Sequence, residues 1–183
     1  MNISNWQNFF DCCVGNWQTQ RTYHYLTYQE VERSQTDFII KPLNVEDKQK
    51  VITDNKYSTN ANLQNSPGYH LEFSTISEKG ETKNQSLNLL FVTKKQEGIY
   101  LEGDYLRDKA YEEAKPIIAS FVFNLQTLEL KLTTYYTKVV SVDSITLINP
   151  KLRIRKILNY RRPPEGEVLK DVVLVGFGVE QKI

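Results

Sequence analysis

The chain has little sulfur or imidazole chemistry to offer. Its 183 residues include 2 cysteines and 2 histidines. Cys12 and Cys13 are adjacent. Neighbouring cysteines rarely bridge each other, so no disulfide framework is expected, and unpaired thiols suit a reducing compartment. His24 and His70 stand far apart and outside any His-Glu-x-x-His pattern, which argues against a metal site. An excess of charge of either sign is missing too. The 23 Lys and Arg against 22 Asp and Glu leave a net charge of +1, without the basic surplus that nucleic-acid or membrane partners draw on. No apolar run approaches the ~20 residues of a membrane span, and no basic-then-apolar secretion signal opens the chain. Nucleophile elbows, phosphate-cradling Gly-rich loops and dinucleotide fingerprints are absent. Any chemistry is therefore expected to rest on a bound ligand and a few polar groups, with no metal and no permanently held cofactor.

What is present reads as β structure. Ser4 to Val14 has the spacing of a short amphipathic helix, with Trp6, Phe9, Phe10, Cys13 and Val14 on one side and Gly15 as its stop. On this helix the cysteines are read as packing residues. From Trp17 to Tyr28 the period changes to two: Trp17, Thr19, Arg21, Tyr23 and Tyr25 alternate with Gln18, Gln20, Thr22, His24 and Leu26. Asp37 to Leu43 reads as a second strand and Asn44 to Tyr57 as a helical excursion capped by Asn44. Eight more strand candidates follow: Tyr69 to Ile76, Leu87 to Thr93, Ile99 to Asp104, Ile117 to Phe123, Leu128 to Tyr136, Val139 to Ile148, Leu152 to Asn159 and Val168 to Val179. Short turns such as Gln96-Glu97-Gly98 and Pro163-Pro164-Glu165-Gly166 join them. Ten regularly spaced antiparallel strands over one domain, residues 1–183, imply a sandwich or a closed barrel. A barrel can enclose a small ligand, and Gly15-Asn16-Trp17 has the form of the Gly-x-Trp of lipocalins.

Candidate functional groups are Arg21, His24, Asp143, Arg153 and Arg155. In Leu152-Arg153-Ile154-Arg155 the two arginines share one face of a strand. That face is either a solvated exterior or a receptor in which two guanidinium forks bind carboxylates or phosphates. Asp143 lies in an otherwise apolar and hydroxyl-bearing strand, either outside or paired within. His24 is a proton donor or a structural histidine.

Four blocks in order resemble the S-type phycobilin lyases, the CpcS/CpeS group. They are Phe9-Phe10 with Gly15-x-Trp17-x-Thr19-Gln20-Arg21-Thr22-x-His24; Leu106-Arg107-Asp108-Lys109-Ala110-Tyr111; Leu130-x-Leu132-Thr133-Thr134-x-Tyr136; and Asn149-Pro150-Lys151-Leu152-Arg153-Ile154-Arg155. The resemblance implies an all-β fold, a ten-stranded antiparallel lipocalin-like β-barrel with a short N-terminal helix. It implies attachment of a linear tetrapyrrole, phycocyanobilin or phycoerythrobilin, by a thioether bond to a cysteine of a phycobiliprotein, with the β subunit as the expected acceptor. Arg153 and Arg155 are then expected to line the pocket with Arg21 and to hold the propionates. Asp143 is expected to accept hydrogen bonds from the pyrrole nitrogens, His24 to be tied to activity, and Phe73 or Tyr135 to stack on the rings. Thr19 stands where the family usually has Ser, and Phe73 where it often has the first of two tryptophans. A bilin reductase as donor, a homodimer, and a location in cyanobacterial cytoplasm or plastid stroma complete the expectation. A non-catalytic bilin or lipophilic-acid carrier, and an assembly protein that has lost the pocket, are the alternatives.

Overall fold

The computed structural model describes residues 3–109 and 115–183. Ala110 and Tyr111, part of one resemblance block, lie outside the described residues. The elements run α1 (Ile3–Cys13), β1 (Gly15–Tyr25), β2 (Glu30–Pro42), α2 (Val45–Asp54), β3 (Gly68–Ser77), β4 (Thr82–Glu97), β5 (Tyr100–Arg107), β6 (Ile117–Asn124), β7 (Glu129–Tyr135), β8 (Val139–Asn149), β9 (Leu152–Arg161) and β10 (Val172–Lys182). Each strand pairs antiparallel with its neighbours in sequence, and β1 also pairs with β10, so the ten strands close into a barrel. Closure leaves no sheet edge and decides for the barrel over the sandwich.

One end of the barrel is stoppered by α1. Its Trp6, Phe9, Phe10 and Cys13 are buried among Phe91, Phe121 and Phe123. Trp6 stacks on Phe121 at 5.2 Å between ring centroids, and Phe10 meets Phe91 at 4.8 Å. Each large side chain buried this way is worth about 1.5–3 kcal/mol. Polar bonds set the helix's seat. Trp17 Nε1 donates to the Cys13 carbonyl at 2.8 Å, and Tyr69 Oη donates to the Phe10 carbonyl at 2.7 Å. Lys182 Nζ donates to the carbonyls of Cys12 and Val14, both at 2.7 Å, placing a cation at the helix's negative end. Gly15 turns the chain from helix to strand at φ +129°.

The expected excursion after β2 is α2. Asn44 caps it by accepting from the Asp47 amide at 2.8 Å. Val51 and Ile52 cover Leu90, Val92 and Leu106 on the outside of β4 and β5. This explains why outward-facing Leu90 and Leu106 are fully buried.

Three strands differ most from their expected bounds. β2 begins at Glu30 rather than Asp37, because Glu30–Thr36 continues the ladder with β1. β4 begins at Thr82 rather than Leu87, because the polar stretch Thr82–Ser86 continues the ladder with β3. β10 begins at Val172 rather than Val168 and runs through Glu180 to Lys182, paired with β1 and β9. Val168 stays in the connection.

Candidate functional site

Four rows of side chains cross the inner face of β1, β10, β9 and β8. The register sets Thr19, Glu180, Arg153 and Leu147 in the deepest row, and Arg21, Gly178, Arg155 and Ile145 in the next. Tyr23, Gly176, Ile157 and Asp143 follow, then Tyr25, Leu174, Asn159 and Ser141 nearest the end opposite α1. The two glycines make room. A Cβ at Gly176 would stand 2.9 Å from the Tyr23 ring, and one at Gly178 would stand 3.0 Å from Thr19 Oγ1 and 3.1 Å from Arg21 Cγ. Tyr23 and Arg21 therefore lie across β10 where an ordinary side chain would displace them.

Above α1 the barrel encloses a cavity of about 360 Å³. The wall facing the charged rows is apolar and aromatic, with Phe38, Leu71, Phe73, Phe91, Tyr105 and Leu132. This is the composition of a small-molecule site: broad apolar surface with a few convergent polar groups. A wider, open groove runs outside β2–β4, past Asp37, His70, Glu72 and Ser74. Its charged and titratable lining side chains among the described residues are Asp37, His70, Glu72 and Lys109. His70 lies 2.7 Å from Asn88 Oδ1 and 3.1 Å from Glu72, and Lys41 lies 3.2 Å from Glu72.

The charges are ranked by depth. Glu180 is fully buried and is met by Arg153 Nη2 at 2.6 Å, Arg155 Nε at 3.1 Å and Arg21 Nη2 at 3.6 Å. Burial alone would raise its pKa, but the three guanidinium groups outweigh that and hold it at about 2. Arg153 is almost as deep. It stacks over Trp17 with its Cζ 4.3 Å from the ring centroid and over Phe38 at 5.5 Å. Higher up, the side chains of Arg21, Arg155 and Asp143 keep 17%, 22% and 20% exposure. Arg155 Nη1 lies 3.8 Å from Asp143 Oδ1, and Ser141 Oγ donates to Asp143 Oδ2 at 3.1 Å. Cys13 lies at the floor, where burial pushes its thiol up. It packs with Trp6, Phe9 and Phe10 in the aromatic core.

Arg21, Asp143, Arg153, Arg155 and Phe73 thus all line the cavity. Two expected residues do not. His24 lies between the inward Tyr23 and Tyr25, so strand alternation turns it to the exposed outer face. Tyr135 is likewise exposed on the outside, while its neighbours Thr134 and Tyr136 face in. Neither can relay a proton to, or stack on, a ligand in the cavity. The expectation for Arg153 also changes. Its guanidinium is committed to Glu180 and Trp17, so Arg155 and Arg21 are the forks a ligand reaches.

The expected set omitted Glu180, Arg107, Tyr23, Tyr25 and Tyr136. Glu180 had a signal, since Gly176, Gly178 and Glu180 share one face of a strand and buried arginines require an acid. Arg107 stood in a quoted block. It is buried on the inner face of β5 and donates to Tyr136 Oη at 2.7 Å. Among the described residues no group of three or more His, Cys, Asp or Glu could hold a metal ion, and no helix is long and apolar enough to cross a membrane.

Comparison with known proteins matches residues 5–183 to the model of a family described as CpeS-like protein. Chromophore lyase CpcS/CpeS 1 of Synechococcus sp. (strain JA-3-3Ab) is 55% identical over 181 residues, covering 99% of this chain and 98% of that protein. Chromophore lyase CpcS/CpeS of Thermosynechococcus vestitus is 26% identical over 153 residues, covering 81% and 80%. Among solved structures, the S-type phycobiliprotein lyase CpeS from Guillardia theta superposes with a TM-score of 0.75 at 18% identity, covering 97% of this chain and 92% of that one. That likeness carries the fold.

Proposed function

The chain belongs to the CpcS/CpeS family of chromophore lyases, and from that premise we propose that its cavity holds a phycobilin without a covalent link and presents it to a cysteine of a phycobiliprotein subunit. The observation that carries the reading is the grouping of Arg21, Arg155 and Asp143 at the reachable level of an apolar cavity, above a fixed Glu180. A linear tetrapyrrole has matching parts: an apolar ring system, two propionates and a row of ring nitrogens.

Arg155 and Arg21 bind propionate through charge-assisted hydrogen bonds. Arg153 acts through Glu180, whose carboxylate fixes the Arg155 and Arg21 forks. Asp143 accepts from the pyrrole N–H groups and favours the protonated, cationic tetrapyrrole. That form is more electrophilic at the exocyclic ethylidene. The acceptor's thiol adds across this double bond: a carbon–sulfur bond forms, the π bond breaks, and the thiol proton ends on the tetrapyrrole. No oxidant or reductant is needed, and this chain supplies no nucleophile. Its contribution is orientation of one carbon toward one sulfur. The substrate on this reading is phycocyanobilin or phycoerythrobilin and the acceptor a β subunit. Delivery by a bilin reductase, a homodimer, and work in cyanobacterial cytoplasm or plastid stroma belong to the same reading.

The test mixes the chain, bilin and apo-β subunit and detects covalent product by zinc-induced fluorescence on a denaturing gel. Product above the spontaneous background is expected. Binding without product would make the chain a carrier. Arg155→Ala and Arg21→Ala should each weaken bilin binding about tenfold or more, the scale of a lost charged hydrogen bond. His24→Gln and Tyr135→Ala should leave the bound spectrum unchanged.

A further inference from the structure

The cavity has one stoppered end and one polar, increasingly open end. Exposure rises from Glu180 and Arg153, through Arg155 and Asp143, to Tyr25, Glu32 and the exposed Lys83. At about 360 Å³ the cavity lies at the small end of ligand pockets. A tetrapyrrole anchored at Arg155 and Arg21 therefore extends into the mouth. Asp143 is four residues from the start of β8 at Val139, roughly 13 Å along the strand. A thiol has to come to this mouth, because α1 fills the other end.

The mouth carries exposed apolar and aromatic side chains set among charged ones. Leu26 and Tyr28 in the β1–β2 turn, Tyr135 at the end of β7 and Val168 in the β9–β10 connection are half to three-quarters exposed. Backbone bonds tie these segments together. The Leu26 amide donates to the Val173 carbonyl at 3.0 Å, and the Arg162 amide to the Lys138 carbonyl at 3.0 Å. Arg162 Nη1 donates to the Tyr136 carbonyl at 2.7 Å, and its Cζ lies 5.9 Å from the Tyr135 ring centroid. Arg161 closes the base of the connection on Asp171, Nε to Oδ2 at 2.7 Å. Pro163 and Pro164 stiffen it. Exposed Tyr, Leu and Val on a braced frame are what a preorganised protein interface uses.

We propose that this rim, residues 26–28, 135–138 and 162–171, is the docking surface for the folded, cysteine-bearing acceptor protein. The proposal rests on the reading of the cavity given above. Continuity decides the occupant: the rim borders the opening through which the second substrate must reach the first. Docking here brings the acceptor's sulfur to the protruding end of the pigment and shuts water out of the mouth.

The experiment compares the triple variant Leu26→Ser, Tyr28→Ser, Val168→Ser with the native chain. Ile148→Ser and Val179→Ser, both exposed on the outer wall toward the stoppered end, serve as controls. Phycocyanobilin titrations, read by absorbance, should be unchanged in all and also report an intact fold. In transfer assays against varied apo-subunit, the triple variant should raise KM for the acceptor about tenfold or more, the scale of lost interface anchors, with kcat at saturation within about twofold. A single Val168→Glu should raise KM in the same direction, and the controls should not. An unchanged acceptor KM in the triple variant overturns the proposal and leaves the cavity reading standing. So does a triple variant that only converts a self-associated native chain to monomer in sedimentation, which would give the rim to a second copy. A native chain that binds no bilin removes the cavity reading, and the docking surface with it.

Discussion

Arg153 and Glu180 face each other across neighbouring strands, Nη2 to Oε2 at 2.6 Å, with the carboxylate fully buried and the guanidinium 3% exposed. The pair is the floor on which the reachable charges stand. Glu180 turns its other oxygen to Arg155 and Arg21, so one buried acid fixes both forks. Taking away one member of such a pair leaves an uncompensated buried charge, which costs more than the bond itself.

Acid should therefore undo the floor. Glu180 has a pKa depressed to about 2 in the folded chain, against 4.5 ordinarily. Its stabilisation is fully present above about pH 4.5 and is lost as pH falls toward 2. Glu180→Gln should lower stability at neutral pH by about 3–5 kcal/mol, the scale of leaving buried charge unpaired, and flatten the fall between pH 5 and pH 2. Urea unfolding at several pH values measures both. A variant as acid-sensitive as the native chain would remove Glu180 from this role.

Asp143 separates binding from chemistry. It is partly exposed, near Arg155 and held by Ser141. Asp143→Asn keeps the shape and loses the charge. Bilin affinity should change by less than about fivefold, while the bound pigment's absorption shifts toward the unprotonated form and transfer slows about tenfold or more, the scale of a lost acid–base or electrostatic group. Spectra and single-turnover transfer on one preparation decide it.

Gly176 tests the shape of the cavity. An added methyl would meet the Tyr23 ring at 2.9 Å and Ile157 Cβ at 3.2 Å, so the ring must swing inward. Gly176→Ala should cost about 1–3 kcal/mol by overpacking and weaken bilin binding more than any change on the outer face. Thermal unfolding and bilin titration read the two effects. Unchanged affinity would show that Tyr23 has other room.

Much of this site could be read along the chain. Arg153 and Arg155 had to share a face, and Thr19, Arg21, Tyr23 and Tyr25 another, because a strand alternates with period two. The same rule sets His24 opposite Arg21, and Tyr135 opposite Leu130, Leu132 and Thr134. Both misplaced residues were thus legible as belonging to the other face. The resemblance of a motif names a residue without saying which way it points.

Sequence alone determined that there are ten strands, their parity, the N-terminal helix and the resemblance to the family, because each is written in local periodicity or in short ordered blocks. Tertiary structure alone decided which parity faces inward, and that Glu180 on β10 meets Arg21 on β1 and Arg153 and Arg155 on β9. The Arg153 and Arg155 contacts come from the β9/β10 register, and the Arg21 contact exists because the barrel closes β1 against β10. Closure joins positions more than 150 residues apart through backbone hydrogen bonds that carry no side-chain signature.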